Sequence, residues 1–169
     1  SGSEWIGFEN FTRFFTDPYF FRILRNTFIL GLYDLLWSFP APIILALALN
    51  EVKSEAFKKT TQTLTYLPYF ISVVIIVGIM RSIFANNGGV INNVIAAVGG
   101  QPIAFFNESK WFRTLYIGSG IWQSVGYNSI IYLAAITGID PQYYEAAKID
   151  GASRFRCIYK ITLPCIIPT

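Results

Sequence analysis

The chain has 169 residues and a net charge of +3, with 53% hydrophobic and only 14% charged residues. A soluble domain carries about 25% charged residues, so this composition argues against a water-soluble globule and for a bundle of bilayer-spanning helices. The unclustered positive charge leaves no nucleic-acid footprint; with no histidine, and cysteines only at Cys157 and Cys165, neither a metal site nor a disulfide framework is expected.

From Glu4 to Arg25, Trp5, Phe8, Phe11, Phe14 and Phe15 stand beside Arg13, Asp17, Arg22 and Arg25. Aromatics at this density suit the headgroup zone of a bilayer. Asn26 to Leu49 predicts a first span of about 24 residues, roughly 36 Å as a helix, kinked at Pro40 and Pro42. Asp34 is its one charge, and an acid at that depth calls for a partner or a water-filled cavity. Two roles stay open: a carboxylate in a solute pathway, or half of an ion pair with Arg81.

Asn50 to Thr63 holds Glu51, Lys53, Glu55, Lys58 and Lys59 without Gly or Pro, and predicts a short helix outside the membrane. Thr65 to Phe84 follows as a second span of near-minimal length, with Arg81 one turn from its end, where it can snorkel to the surface. Asn86-Asn87-Gly88-Gly89 is a turn, and Val90 to Val98 is an interfacial helix ended by Gly99-Gly100. Asn107-Glu108-Ser109 matches a glycosylation sequon, a tripeptide common by chance.

Leu115 to Ile139 is a third, uncharged span in which Gly118, Gly120, Gly126 and Gly138 allow helices to approach closely. It carries Trp122, Gln123, Tyr127, Asn128 and Ser129, an aromatic surface beside amides and hydroxyls. A sugar would stack its C–H face on such a ring and hydrogen-bond to the amides. The same groups would equally hold neighbouring helices together. Gln123 and Tyr127 are the strongest candidates, since four residues' separation places them on one helical face.

Glu145 to Pro164 reads EAAKIDGASRFRCIYKITLP. Asp140-Pro141 predicts a helix start, Ala146 and Ala147 favour the helix, and Gly151 can end it in the left-handed conformation. Ser153 can cap a second short helix carrying Phe155 and Ile158 on one face and Arg156 and Lys160 on another, with Pro164 expected to close it. The product is a helix, a glycine elbow and a helix.

The order Glu145-Ala146-Ala147, Gly151, Ile161, Leu163 and Pro164 resembles the EAA loop of permease subunits in binding-protein-dependent ABC importers, and Asp150-Gly151-Ala152 resembles its carbohydrate branch. One position departs, because that branch often carries Phe where this chain has Ile158. The wording WIGFENFTRFF at Trp5 to Phe15 and GVIN at Gly89 to Asn92 is also similar to sugar permeases, and places a further helix ahead of the chain. With Met80 its only methionine and an apolar run opening at Cys165, the chain reads as an interior piece of a longer protein.

The resemblance implies an all-α membrane protein: part of a type I ABC importer transmembrane helical bundle, with three spans, a cytoplasmic loop over residues 140–164 and the start of another span at 165–169. It implies ATPase docking through Glu145, Ala146, Ala147, Asp150, Gly151, Ala152, Ile161, Leu163 and Pro164. Gln123, Tyr127, Asn128, Trp122 and Asp34 become the candidates for a substrate pathway. The implied partners are ATP-binding cassette ATPase subunits, a second permease subunit, an extracellular or periplasmic solute-binding protein and the lipid bilayer of a bacterial cell. ATP and magnesium would sit on the partner ATPase, since no GxxxxGK[ST] loop occurs here. Lys53, Lys58, Lys59, Lys148, Arg154, Arg156 and Lys160 fall in the two loops placed inside, against Arg13, Arg22, Arg25, Arg81, Lys110 and Arg113 elsewhere, so charge alone barely orients the chain. The other readings are an importer of an amino acid or a phosphate ester, and, more remotely, a membrane channel or enzyme.

Overall fold

The protein is described here by a computed structural model covering residues 7–167; Trp5 and the closing Pro168-Thr169 lie outside the described residues. Every regular element among the described residues is helical. A short amphipathic helix, α1 (Glu9–Thr16), leads into α2 (Phe20–Trp37) and α3 (Pro40–Glu51). The helical ladder is interrupted at Ser38 and Phe39, directly ahead of Pro40, whose ring nitrogen cannot donate to it. By length and composition, Phe20–Glu51 is the one continuous helical run among the described residues that is apolar enough to cross a membrane.

The second predicted span is built differently from the expectation. Ser54 caps α4 (Glu55–Tyr66), and with no Gly or Pro to stop it the helix runs past Thr63 into a 3-10 turn, Leu67–Phe70. There the backbone becomes extended at Ile71, and Ser72 caps a new helix, α5 (Val73–Ile83). The two pieces meet at 106° and together reach the apolarity of one span, so residues 65–84 are an elbow and not a straight rod.

Beyond α5, α6 (Val90–Ala97) sits in a compact loop held by the buried Asn92. Its carboxamide donates to the carbonyls of Ala85 and Ile103 at 2.9 Å each and accepts from the Ile103 N–H at 2.8 Å. The predicted helix ending at Gly99-Gly100 is observed, with Gly99 at φ +81°.

The longest element is α7 (Ser109–Thr137), at 29 residues roughly 43 Å long. Its Ser, Gln, Asn and Tyr content leaves it less apolar than Phe20–Glu51, although its length is ample. Its start lies beside the start of α2, where Arg22 and Arg25 share a cleft with Lys110 and Arg113. Its far half packs on α3, burying Ala46 and Leu49 against Leu133 and Ile136, and Ile166 completes that core. The two helical runs therefore lie side by side in the same direction, and α4 with its 3-10 turn packs against α7.

Close approach decides the α4 contact. A Cβ on Gly126 would fall well inside van der Waals contact distance of the Thr65 carbonyl oxygen, whereas one on Gly120 would meet nothing within 4 Å. Gly126→Val is therefore expected to destabilise the full-length protein by about 1–3 kcal/mol, while Gly120→Ala stays within about 0.5 kcal/mol. Thermal unfolding of the two variants side by side measures the difference.

Candidate coupling loop and helix elbow

The chain from Asp140 onward folds as a helix, a glycine elbow and a helix. The Asp140 carboxylate accepts from the Gln142 N–H at 2.9 Å, and Pro141 opens α8 (Pro141–Ile149) at a position where its missing N–H costs nothing. The helix ends on Gly151 at φ +73°, a conformation that a side chain would strain. The Gly151 N–H donates to the Lys148 carbonyl at 3.0 Å and the Ala152 N–H to that of Ala147 at 2.8 Å. This paired pattern satisfies carbonyls that the helix leaves open.

Ser153 then accepts from the Arg156 N–H at 3.4 Å and opens α9 (Arg154–Cys157). Here one expectation is corrected. Pro164 does not close the second helix, because the chain widens into a π-helical turn over Ile158–Thr162 and continues as α10 (Leu163–Ile166). A proline ring inside an α-helix clashes with the carbonyl four residues earlier, and the wider turn makes room for it.

One contact holds this unit together and two tie it to the bundle. The Tyr144 hydroxyl, on α8, meets the buried Thr162 hydroxyl at 2.9 Å, joining the two arms of the elbow. Arg154 reaches Glu51 at the end of α3, 3.7 Å away. Leu163 and Ile166 pack into the α3–α7 core. A polar cleft of about 640 Å3 between the end of α3, the start of α4 and the loop places residues 50–63 and 140–164 at the same end of the molecule.

Of the residues that the resemblance implicated, Glu145, Ala146, Asp150 and Gly151 are exposed, whereas Ala147 and Ala152 are half-buried against the chain. Ile161 and Leu163 are half-buried, and Pro164 is exposed. The outward apolar surface is carried by Ile149, 87% exposed, and Phe155, 79% exposed, with Tyr143 beside them. Reasoning from the sequence missed Tyr144, Thr162 and the Glu51–Arg154 pair. The only available signal was a polar Thr162 inside the otherwise apolar run ITLP.

The span residues separate. The Gln123 side-chain amide donates to the Ile71 carbonyl at 3.2 Å, taking up an acceptor that the broken helix leaves open. Tyr127 stacks on Tyr69, ring centroids 3.9 Å apart and planes within 6°, and meets Phe70 edge-on. Gln123 and Tyr127 thus both grip the α4–α5 elbow. Trp122 instead lines an apolar cavity of about 440 Å3 between α5 and α7, and Asn128 is exposed away from both. Asp34 is exposed on α2 and forms no ion pair with Arg81, which corrects the expected pairing; the ion pairs among the described residues are Lys110–Glu108 and Arg154–Glu51. Cys157 is buried and Cys165 exposed, both unbridged, so only the first is a packing residue.

A family profile described as "Binding-protein-dependent transport system inner membrane component" matches residues 19–169. Among curated proteins, the chain is 52% identical over 165 residues to the polygalacturonan/rhamnogalacturonan transport system permease protein YteP of Bacillus subtilis, covering 98% of this chain and 51% of that protein. It is 35% identical over 167 residues to the lactose transport system permease protein LacF of Rhizobium radiobacter, covering 98% and 55%. The chain thus spans about half the length of these relatives. A chain in the crystal structure of a bacterial ABC transporter involved in the import of the acidic polysaccharide alginate superposes with a TM-score of 0.95 at 45% identity, covering 98% of this chain and 58% of that one. A second structure, of the bacterial alginate ABC transporter in complex with an alginate pentasaccharide-bound periplasmic protein, gives a TM-score of 0.94 at 45% identity, covering 96% and 57%.

Two substitutions test the ties. Gln123→Leu removes the donor to Ile71 and is expected to cost about 1–3 kcal/mol by leaving that carbonyl unpaired. Tyr144→Phe, which loses one hydrogen bond, is expected to cost about 0.5–1.5 kcal/mol. Unfolding of the purified full-length protein reads both, and an unchanged midpoint for Gln123→Leu would show the elbow to be held by packing alone.

Proposed function

This chain belongs to the family of binding-protein-dependent transport system inner membrane components, and from that premise we propose that it is part of the permease subunit of an ATP-driven importer of a sugar or oligosaccharide. The observation that carries the reading is the loop from Asp140 to Pro164, a rigid helix–elbow–helix anchored in the α3–α7 core with Ile149 and Phe155 facing outward. Such a surface suits docking into a cleft of a separate ATPase, and the anchoring suits transmission of its motion to the long helices. Because Ile166 belongs to the same buried cluster as Leu49 and Ile136, a displacement of the loop is passed to the core of the long helices.

In this reading the chain crosses the membrane of a bacterial cell several times, with residues 50–63 and 140–164 in the cytoplasm. The α4–α5 elbow together with α7 supplies part of the solute path, with Trp122, Tyr127, Asn128 and Asp34 as its candidate contacts. Gln123 borders it while holding Ile71. A second permease subunit completes the path, an external solute-binding protein delivers the sugar, and ATP and magnesium are handled by the ATPase subunits. The carbohydrate class is supported by the names of the relatives, which concern polygalacturonan, rhamnogalacturonan and lactose.

Docking is tested by placing a cysteine at Ile149 in the full-length permease carrying Cys165→Ser, in membranes containing the cognate ATPase. Ile149 is preferred to Ala147, which faces the chain's own core. A crosslink to the ATPase whose yield changes with ATP is expected; its absence while the ATPase is demonstrably bound would remove the coupling role. Glu145→Lys is expected to leave membrane insertion intact and to cut sugar uptake at least about tenfold, the equivalent of about 1.4 kcal/mol of lost coupling.

A further inference from the structure

At the end of the bundle opposite the coupling loop, the starts of α2 and α7 enclose a cleft of about 420 Å3 lined by Arg22, Arg25, Lys110 and Arg113. Asn26 and Ser109 add polar groups, and among the described residues no carboxylate lines it. Each pair of cations is three residues apart on its helix, so both pairs present one face. Glu108, paired with Lys110, is the one acid among the described residues in an ion pair with any of the four.

These residues also account for the weak asymmetry of charge along the chain. Six basic residues lie outside the two inner loops, and four of those six converge on this cleft. Like charges gathered on two packed helices repel one another, and an anion entering between them relieves that repulsion.

Its surroundings indicate which anion. Leu30 and Phe112 complete the lining, so the cleft is cationic and apolar at once. Phe112 continues into a stack with Tyr116, their centroids 5.8 Å apart. Next to it, α1 is amphipathic, with Phe8, Phe11 and Phe15 on one exposed face, and Phe14 and Phe15 pack edge-on against Phe20 at the head of α2. An aromatic-rich helix of this kind lies in the headgroup plane of a bilayer. A ligand for such a cleft needs a compact anionic head and an apolar body directed toward the hydrocarbon.

We propose that this cleft is a site for the phosphate headgroup of an anionic phospholipid. The diester phosphate sits among Arg22, Arg25, Lys110 and Arg113, and one acyl chain runs down past Leu30 and Phe112. An occupied cleft would join the heads of α2 and α7 at the end of the bundle farthest from the α3–α7 core. The site is independent of the solute carried, and its occupancy can be read without any transport assay.

The test uses the full-length permease, purified with its partner subunits, and native mass spectrometry to measure retained phosphatidylglycerol and phosphatidylcholine. Preferential retention of phosphatidylglycerol is expected. It should weaken about thirtyfold in Arg22→Gln/Arg25→Gln and again in Lys110→Gln/Arg113→Gln, from two surface cations lost in each. Should either double variant fail to assemble, Arg25→Gln and Arg113→Gln singly carry the comparison. Equal retention of the two lipids, or retention unchanged in the variants, overturns the proposal. So does a cleft that inorganic phosphate fills as well as the lipid, or one that an oligogalacturonate occupies while phosphatidylglycerol does not.

Discussion

The constraint on which this structure depends is that a helix passing through hydrocarbon must satisfy every backbone polar group from within the protein. A straight helix does so automatically. At three of the places where this chain departs from straight helix, side chains or the geometry make good the loss. At Ile71 the backbone turns through the elbow, and Gln123 reaches across from α7 to the freed carbonyl. At Pro164 the ladder widens into a π turn, with the Thr162 hydroxyl tied to Tyr144. Around Asn92 one buried carboxamide takes two carbonyls and one N–H of a loop with no regular pairing of its own.

The loop from Asp140 to Pro164 depends on the same economy. A helix–elbow–helix hanging from a single connection would flex under load. Here α8 is pinned to the far arm by the Tyr144–Thr162 contact, and that arm is tied to α3 by Arg154 and Glu51 and to the buried core through Ile166. The exposed surface salt bridge is worth little by itself. The apolar anchoring carries more weight, because a packed core passes on displacement instead of absorbing it. The part of the loop that faces outward, Ile149 and Phe155, is thereby held against a rigid base.

Small residues and amides divide the labour on α7. Gly126 lets the backbone of α4 come within contact of the helix, and Gln123 and Tyr127 on the neighbouring turns then reach the elbow on either side. A polar face on a long membrane helix is ambiguous from composition, because the groups that hold a sugar are the groups that hold a bent helix. The geometry shows Gln123 and one face of Tyr127 engaged with the elbow, and leaves Trp122 and Asn128 pointing elsewhere.

The sequence by itself determined what depends on neighbouring residues. Composition set the all-helical membrane class, Asp140-Pro141, Gly151 and Ser153 set the caps and elbow of the loop, and Gly99-Gly100 set the end of α6, since capping is decided within a few residues. The interruption ahead of Pro40 was legible for the same reason. Pro68 marks the end of α4 locally, but only the tertiary structure decided the bend at Ile71, whose freed carbonyl is taken up by Gln123, 52 positions along the chain. It also decided that the helix runs on through Pro164, that Asp34 and Arg81 stand apart, and that Arg22 and Arg25 share a cleft with Lys110 and Arg113. Each of these is a meeting of distant segments, fixed by how the helices pack and by which polar groups that packing leaves to be satisfied, and local pattern carries no record of either.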